Sequence, residues 1–260
     1  MVVVQFFVLT FALAWAMFFA AGAFDNPTVR GLLIVLGAFA PALVAVWLTA
    51  RADGKAGALA LLRRVLVWRV DARWYVFAAG YLALIKLAVA LTHRIVTGSW
   101  PPFGDRAWFI LIPAIVVAMP TKAGEEIGWR GYALPRLAAR MGLGWASVLL
   151  GVIWAVWHLP QLLISGTDST GQSFPLFVLE VTPLSVALAW LYARTNGSLL
   201  LVMLMHSAVN ETHDLVPSVV PGATHPFALS PSFPAWLTVV FLWIGAVYFL
   251  ARMPRYLKIQ

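Results

Sequence analysis

Two adjacent glutamates followed by an arginine, in GEEIGWR at 124–130, interrupt a chain that otherwise reads as lipid solvent. An ionisable group inside a bilayer costs about 3 kcal/mol on insertion scales, so a sequence that keeps several near span centres uses them. Two other stretches have the same character, WAVWH at 154–158 and HSAVN at 206–210. On a helix Glu126 and Arg130 share a face in the favourable order for an ion pair, while Glu125 points about 100° away. The two carboxylates are therefore expected to do different work. Glu126 is neutralised by Arg130 as a structural pair. Glu125, with no local cation, is suited to take a proton from water and return it. His158 follows Trp154 by one turn, and His206 and Asn210 again share a face. Together Glu125, His158, His206 and Asn210 supply an acid/base, two imidazoles and an amide from three helices. That is the inventory for attacking an amide carbonyl and holding its oxyanion.

The elements that must position these groups are membrane spans. Of 260 residues 62% are hydrophobic and only 11% charged, with a mean hydropathy of +0.87, which places the chain among all-α polytopic integral membrane proteins. A span needs roughly 20 apolar residues. Apolar runs at 2–24, 32–50, 74–96, 108–119, 145–164, 174–192, 199–210 and 235–250 predict about eight transmembrane helices enclosing a polar intramembrane cavity, in a single membrane-embedded domain covering 1–260. The first run is read as a span rather than a cleaved signal, although FAAGAF at 19–24 loosely resembles a cleavage site. Basic residues alternate between connections, as the positive-inside rule requires. Arg51, Lys55, Arg63, Arg64, Arg69 and Arg73 follow the second run, Lys122, Arg130, Arg136 and Arg140 the fourth, and Arg194 the sixth, while Arg252, Arg255 and Lys258 occupy the tail. The other side receives only Arg30, Arg94 and Arg106. Both termini are thus expected in the cytoplasm, with the protein in the cell membrane if the source is bacterial. The net charge of +8 serves topology and not nucleic acid, because the cations sit in short loops rather than in a stripe with exposed aromatics. With no cysteine, disulfides, thiol nucleophiles and Cys-ligated zinc are excluded.

Several residues have plainer readings. The stretch 56–74 has helix-compatible spacing of Leu, Val, Trp and Arg, and suits either a helix lying on the leaflet or a basic topology loop. WPPFGDR at 100–106 and STGQSFP at 169–175 are turn-rich outer connections. Lys86 lies within the third run, Glu180 is expected at a solvated span end, and His93 and His225 at a span end and in an outer loop. His213 falls two turns after His206 beside Glu211 and Asp214, marking the watery end of its span.

The three polar stretches also carry a resemblance. EEIGWR fits a Glu-Glu-x-x-x-Arg motif, WAVWHLP an aromatic-x-x-x-His motif and HSAVN a His-x-x-x-Asn motif. In this order and spacing they resemble the CPBP intramembrane proteases, which comprise CAAX prenyl endopeptidases and bacteriocin-processing or immunity relatives of the ABI group. The likeness covers about 107–213. It implies that Glu125 and His158 activate water, that His206 and Asn210 form the oxyanion site, and that Glu126, Arg130 and Trp154 support them. Trp154 stands where Phe is the commoner aromatic, a change expected to alter packing more than chemistry. For a metal, His158, His206 and Glu125 would make an acceptable three-ligand zinc site, but there is no H-E-x-x-H helix, so a water activated without an obligatory metal is favoured and zinc is the alternative. The expected partners are a peptide or protein substrate, lipidated or not, and membrane lipid. Two competing functions remain at this level: a non-catalytic immunity or maturation factor that binds a peptide or secretion partner, and a proton-coupled transporter, which lacks internal repeats.

Overall fold

The computed structural model describes residues 2–164, 173–217, 227–229 and 232–257. His225, Lys258 and most of the 169–175 connection lie outside the described residues. Among the described residues all regular structure is helical, and seven helical segments are long and apolar enough to cross a membrane.

Short polar residues followed by proline start several of these helices. Asn26 caps α2 (Pro27–Arg63), its side chain accepting from the backbone N–H groups of Thr28 and Val29, with Pro27 supplying a pre-set φ. Ser173 and Ser232 do the same for α9 (Phe174–Arg194) and α11 (Phe233–Arg252), again with proline in the first turn. Asp71 caps α3 (Ala72–Thr97), and Ser198 caps α10 (Leu199–Thr212). The first helix, α1 (Val2–Gly22), packs along α2.

Two expectations about element boundaries are corrected. The helical spacing at 56–74 is only partly realised, because α2 breaks at Gly54 (φ 68°, ψ −171°), resumes to Arg63 and passes through a 3-10 turn, Arg64–Leu66, before the chain reaches α3. More consequentially, the fourth span does not end at 119. After α4 (Trp108–Ala118) the chain continues through a 3-10 turn (Met119–Lys122), α5 (Ala123–Glu126), a π-helical stretch (Ile127–Ala133) and α6 (Leu134–Met141) as one membrane-crossing unit. Lys122 and Arg130 therefore sit within a span rather than in a loop after it. Charged residues lower the hydropathy of this stretch, yet Glu125, Glu126 and Arg130 are all buried by protein, so the helix can carry them through the membrane. The π-helical turn is visible in its backbone, with Leu134 N–H donating to the Trp129 carbonyl five residues back.

Close helix approach holds this polar segment in place. A side chain on Gly128 would collide with Pro41 of α2, and a Cβ on Gly124, one turn earlier, would lie 2.8 Å from the Ala38 carbonyl oxygen. Gly124 and Gly128 thus form a small-residue seam against α2. Gly151 plays the same part between α7 (Leu143–Trp157) and α9. Hydrogen bonds across helices add to the packing: Ser185 donates to the Ser147 carbonyl at 2.9 Å, and Ser207 to the Ile115 carbonyl at 2.8 Å.

The seventh expected span, at 199–210, is α10. Its 14 residues rise about 21 Å, short of the roughly 30 Å hydrocarbon thickness. It packs against α3, α4 and α9, and ten of its residues are buried, so it is the central helix of the bundle rather than a lipid-facing one.

Candidate active site

The first polar group sits at the junction of α5 and the π-helical turn. Glu126 and Arg130 form the expected pair, with Arg130 Nη1 2.9 and 3.1 Å from the two carboxylate oxygens, both side chains fully buried. The pair has a third member that spacing along one helix cannot reveal. His206, from α10, places Nδ1 2.7 Å from Glu126 Oε1. This bond fixes the ring orientation and leaves Nε2 for water or substrate.

The second group arises where α7 ends. His158 turns its backbone N–H to the Ala155 carbonyl, three residues back, and its Nδ1 instead donates to the Trp154 carbonyl at 2.8 Å. Pro160, which has no N–H, follows in α8 (Leu159–Leu163). The same turn leaves the Trp157 carbonyl to accept from Trp15 Nε1 of α1 at 3.0 Å. The His158 ring is held edge-on by Trp157 and Phe177, with centroids 4.7 and 5.3 Å away, and its Nε2 is again left for a ligand.

Trp154 joins these groups. Its Nε1–H donates to Glu125 Oε2 at 2.7 Å, and the Arg130 guanidinium carbon lies 4.4 Å from its ring centroid. The His206 and His158 rings meet it at centroid distances of 5.1 and 5.6 Å. Beside its packing, Trp154 thus gives Glu125 an N–H that the commoner Phe would lack.

Asn210 lies one turn beyond His206 at the exposed end of α10. In the amide orientation that satisfies its neighbours, Oδ1 accepts from Lys122 Nζ at 2.9 Å and Nδ2 donates to the His206 carbonyl at 3.3 Å. All seven candidate residues, Glu125, Glu126, Arg130, Trp154, His158, His206 and Asn210, are thus linked by hydrogen bonds or ring contacts, and Lys122 joins them unforeseen.

Over residues 103–212 the chain matches the model of the type II CAAX prenyl endopeptidase Rce1-like family. A CAAX prenyl protease 2 from Methanococcus maripaludis is 28% identical over 111 residues, which is 40% of this chain and 41% of the relative. Over this stretch the chain is similar to CAAX-type proteases of the CPBP family. The matched stretch spans about two fifths of the curated relative's length, and it contains every candidate residue of the CPBP motifs.

Among the described residues, no three His, Asp or Glu side chains are grouped to hold a metal ion. His158, His206 and Glu125 are each oriented by protein: Trp154 bonds two of them and Glu126 the third.

A second polar cluster lies two turns further along from His206. Glu180 is buried in α9, not solvated as expected. Its Oε2 is 3.7 Å from His213 Nε2, while His213 Nδ1 is 3.2 Å from Asp214 Oδ1. Lys86 of α3, also buried, donates to the Val216 carbonyl at 3.0 Å. Burial alone would lower the His213 pKa, but the bonds to Asp214 and Glu180 outweigh it and hold the imidazole above its ordinary range. The bond from His213 holds Asp214 below the usual carboxylate range.

Proposed function

We propose that this protein is an intramembrane endopeptidase that hydrolyses a peptide bond of a membrane-associated peptide or protein. The observation that carries the reading is the buried network joining Glu125, Trp154 and Arg130 with His206 and Glu126 inside a bundle of apolar helices. The similarity to CAAX proteases over residues 103–212 supports the same reaction class.

In this reading Glu125 and His158 hold a water between Oε1 and Nε2, and Glu125 takes its proton as the water oxygen bonds to the peptide carbonyl carbon. The carbonyl π pair moves onto oxygen, where His206 Nε2 and the Asn210 amide stabilise it. When the intermediate collapses the C–N bond breaks, and the proton held by Glu125 passes to the departing amine. For His206 to donate from Nε2, the Glu126–His206 pair must carry two protons, one between Nδ1 and Oε1 and one on Nε2. Arg130 bonds the same Glu126 carboxylate and helps to hold this pair in place. No metal is required for any of these steps, and the substrate lies extended within protein, where its backbone polar groups are satisfied.

The test compares purified wild-type protein with Glu125→Gln and His158→Ala, using quenched C-terminal and leader peptides, prenylated and not, before and after metal chelation. Thermal unfolding is followed in parallel. Cleavage that survives chelation and is lost in folded Glu125→Gln and His158→Ala supports the reading. Cleavage that is abolished by chelation and returns with zinc overturns the metal-independent step, and activity retained in folded Glu125→Gln overturns the assignment of the base.

A further inference from the structure

Charge at Lys122 would ordinarily be assigned to membrane topology, since it falls where a basic loop was expected. The structure puts it elsewhere. Lys122 closes the 3-10 turn before α5, three residues ahead of Glu125 and four ahead of Glu126, so on a helical path it neighbours both. It is half-buried, whereas Arg51, Lys55, Arg63 and Arg140 are exposed. Its Nζ donates to Asn210 Oδ1 at 2.9 Å, and its charge acts on Glu126, His158 and His206.

The consequence follows from the chemistry of an amide. A carboxamide can turn either its oxygen or its NH2 toward a given point, and an oxyanion is stabilised only by the NH2. An ammonium has donors and no acceptors, so when it meets Asn210 it selects the oxygen. Nδ2 then turns the other way, one N–H reaching the His206 carbonyl and the second left for a ligand. The same contact puts a full positive charge beside the amide, in a partly water-excluded site where a developing negative charge responds strongly.

We infer that Lys122 is a positioning residue for the oxyanion site, fixing the Asn210 amide with its N–H toward the reacting carbonyl and adding positive charge there. The inference rests on the endopeptidase reading above. Its effect belongs to the transition state rather than to substrate binding, so it is expected in kcat and not in KM.

The absence of cysteine makes a direct test possible, because a single introduced thiol can be alkylated without competition. Full-length wild type, Lys122→Met, Lys122→Arg and Lys122→Cys are compared on a cleavable quenched peptide, with the Cys variant assayed before and after aminoethylation by 2-bromoethylamine, which rebuilds a lysine-like ammonium. Glu125→Gln serves as the control for the reaction itself. Lys122→Met and unmodified Lys122→Cys are expected to lose roughly 10- to 100-fold in kcat with KM within about twofold, in line with loss of an oxyanion donor. Aminoethylation is expected to restore most of that loss, and Lys122→Arg part of it. A purely structural lysine would not give recovery on adding charge back to an already folded protein. If wild type cleaves and Glu125→Gln does not, the endopeptidase reading stands and the Lys122 variants judge this inference alone. It is overturned if Lys122→Met keeps kcat within twofold, if the loss lies wholly in KM, or if aminoethylation of a folded Lys122→Cys restores nothing. A wild type that cleaves no peptide overturns both.

Discussion

Trp154 touches more of the candidate site than any other residue, and its two kinds of contact can be separated. The ring meets Arg130, His158 and His206, while Nε1–H alone reaches Glu125. Trp154→Phe keeps an aromatic ring but leaves Glu125 Oε2 without that donor. A hydrogen bond to a charged group contributes about 1.5–3 kcal/mol, and 1.4 kcal/mol is tenfold in rate. The expected outcome is a kcat about tenfold lower with KM little changed, and Trp154→Leu, which also loses the ring contacts, should fall further. Steady-state kinetics on a quenched peptide check this, and an unaltered kcat in Trp154→Phe would show that the bond does not matter to catalysis. At this scale the sequence was informative about residue type. Spacing of four paired Glu126 with Arg130, and the structure contains that pair. What it could not show were bonds between distant segments, Glu126 with His206 across 80 positions and Glu125 with Trp154 across 29. Lys122 was visible three residues before Glu125, but its charge was read as topology because a hydropathy run ends just before it.

At the scale of elements, the two short stretches that hydropathy handles worst are the ones that build the site. The segment 119–141 is polar enough to look like a connection, and α10 is too short to register as an ordinary span. Beyond α10 the His213 cluster links the α10 end to α9, and its strength depends on pH. His213 has a folded pKa above its unfolded value near 6.5, so its contribution is fully present below about pH 6.5 and is lost as pH rises through the raised folded value. Asp214 has a folded pKa below its unfolded value, so its contribution is present above about pH 4 and is lost as pH falls through the depressed value. The two overlap between these limits. Wild type should therefore show a thermal midpoint that declines between about pH 6 and the alkaline side more steeply than in His213→Gln, where the imidazole is gone. Parallel curves for the two proteins over that range would mean the cluster contributes nothing to stability. Glu180 illustrates why the sequence misplaced this cluster: a glutamate near a span end is usually solvated, and only the packing of the helices around α9 shows it buried.

For the molecule as a whole, the number of crossings decides which side each end of the chain occupies. Seven long apolar segments alone would place the two termini on opposite sides. If the buried α10 also carries the chain across, there are eight traverses and the termini share a side, in agreement with the clustering of Arg and Lys on alternate connections. A 34-residue unit at 108–141 is long enough for one crossing with its irregular turns, and α10 can be short because protein rather than lipid surrounds it. The absence of cysteine again gives a clean experiment. Asp25→Cys and Ser99→Cys lie at exposed positions of one predicted side, and Asp53→Cys and Arg140→Cys at exposed positions of the other. In intact cells a membrane-impermeant maleimide should label positions 25 and 99, leaving 53 and 140 unlabelled until the membrane is opened. A cysteine appended at each terminus should then behave like 53 and 140. If the four internal positions follow this pattern but the two ends separate, α10 does not complete a crossing. The helix carrying His206 and Asn210 would then enter and leave by one face, which would change the direction from which a substrate could reach Glu125.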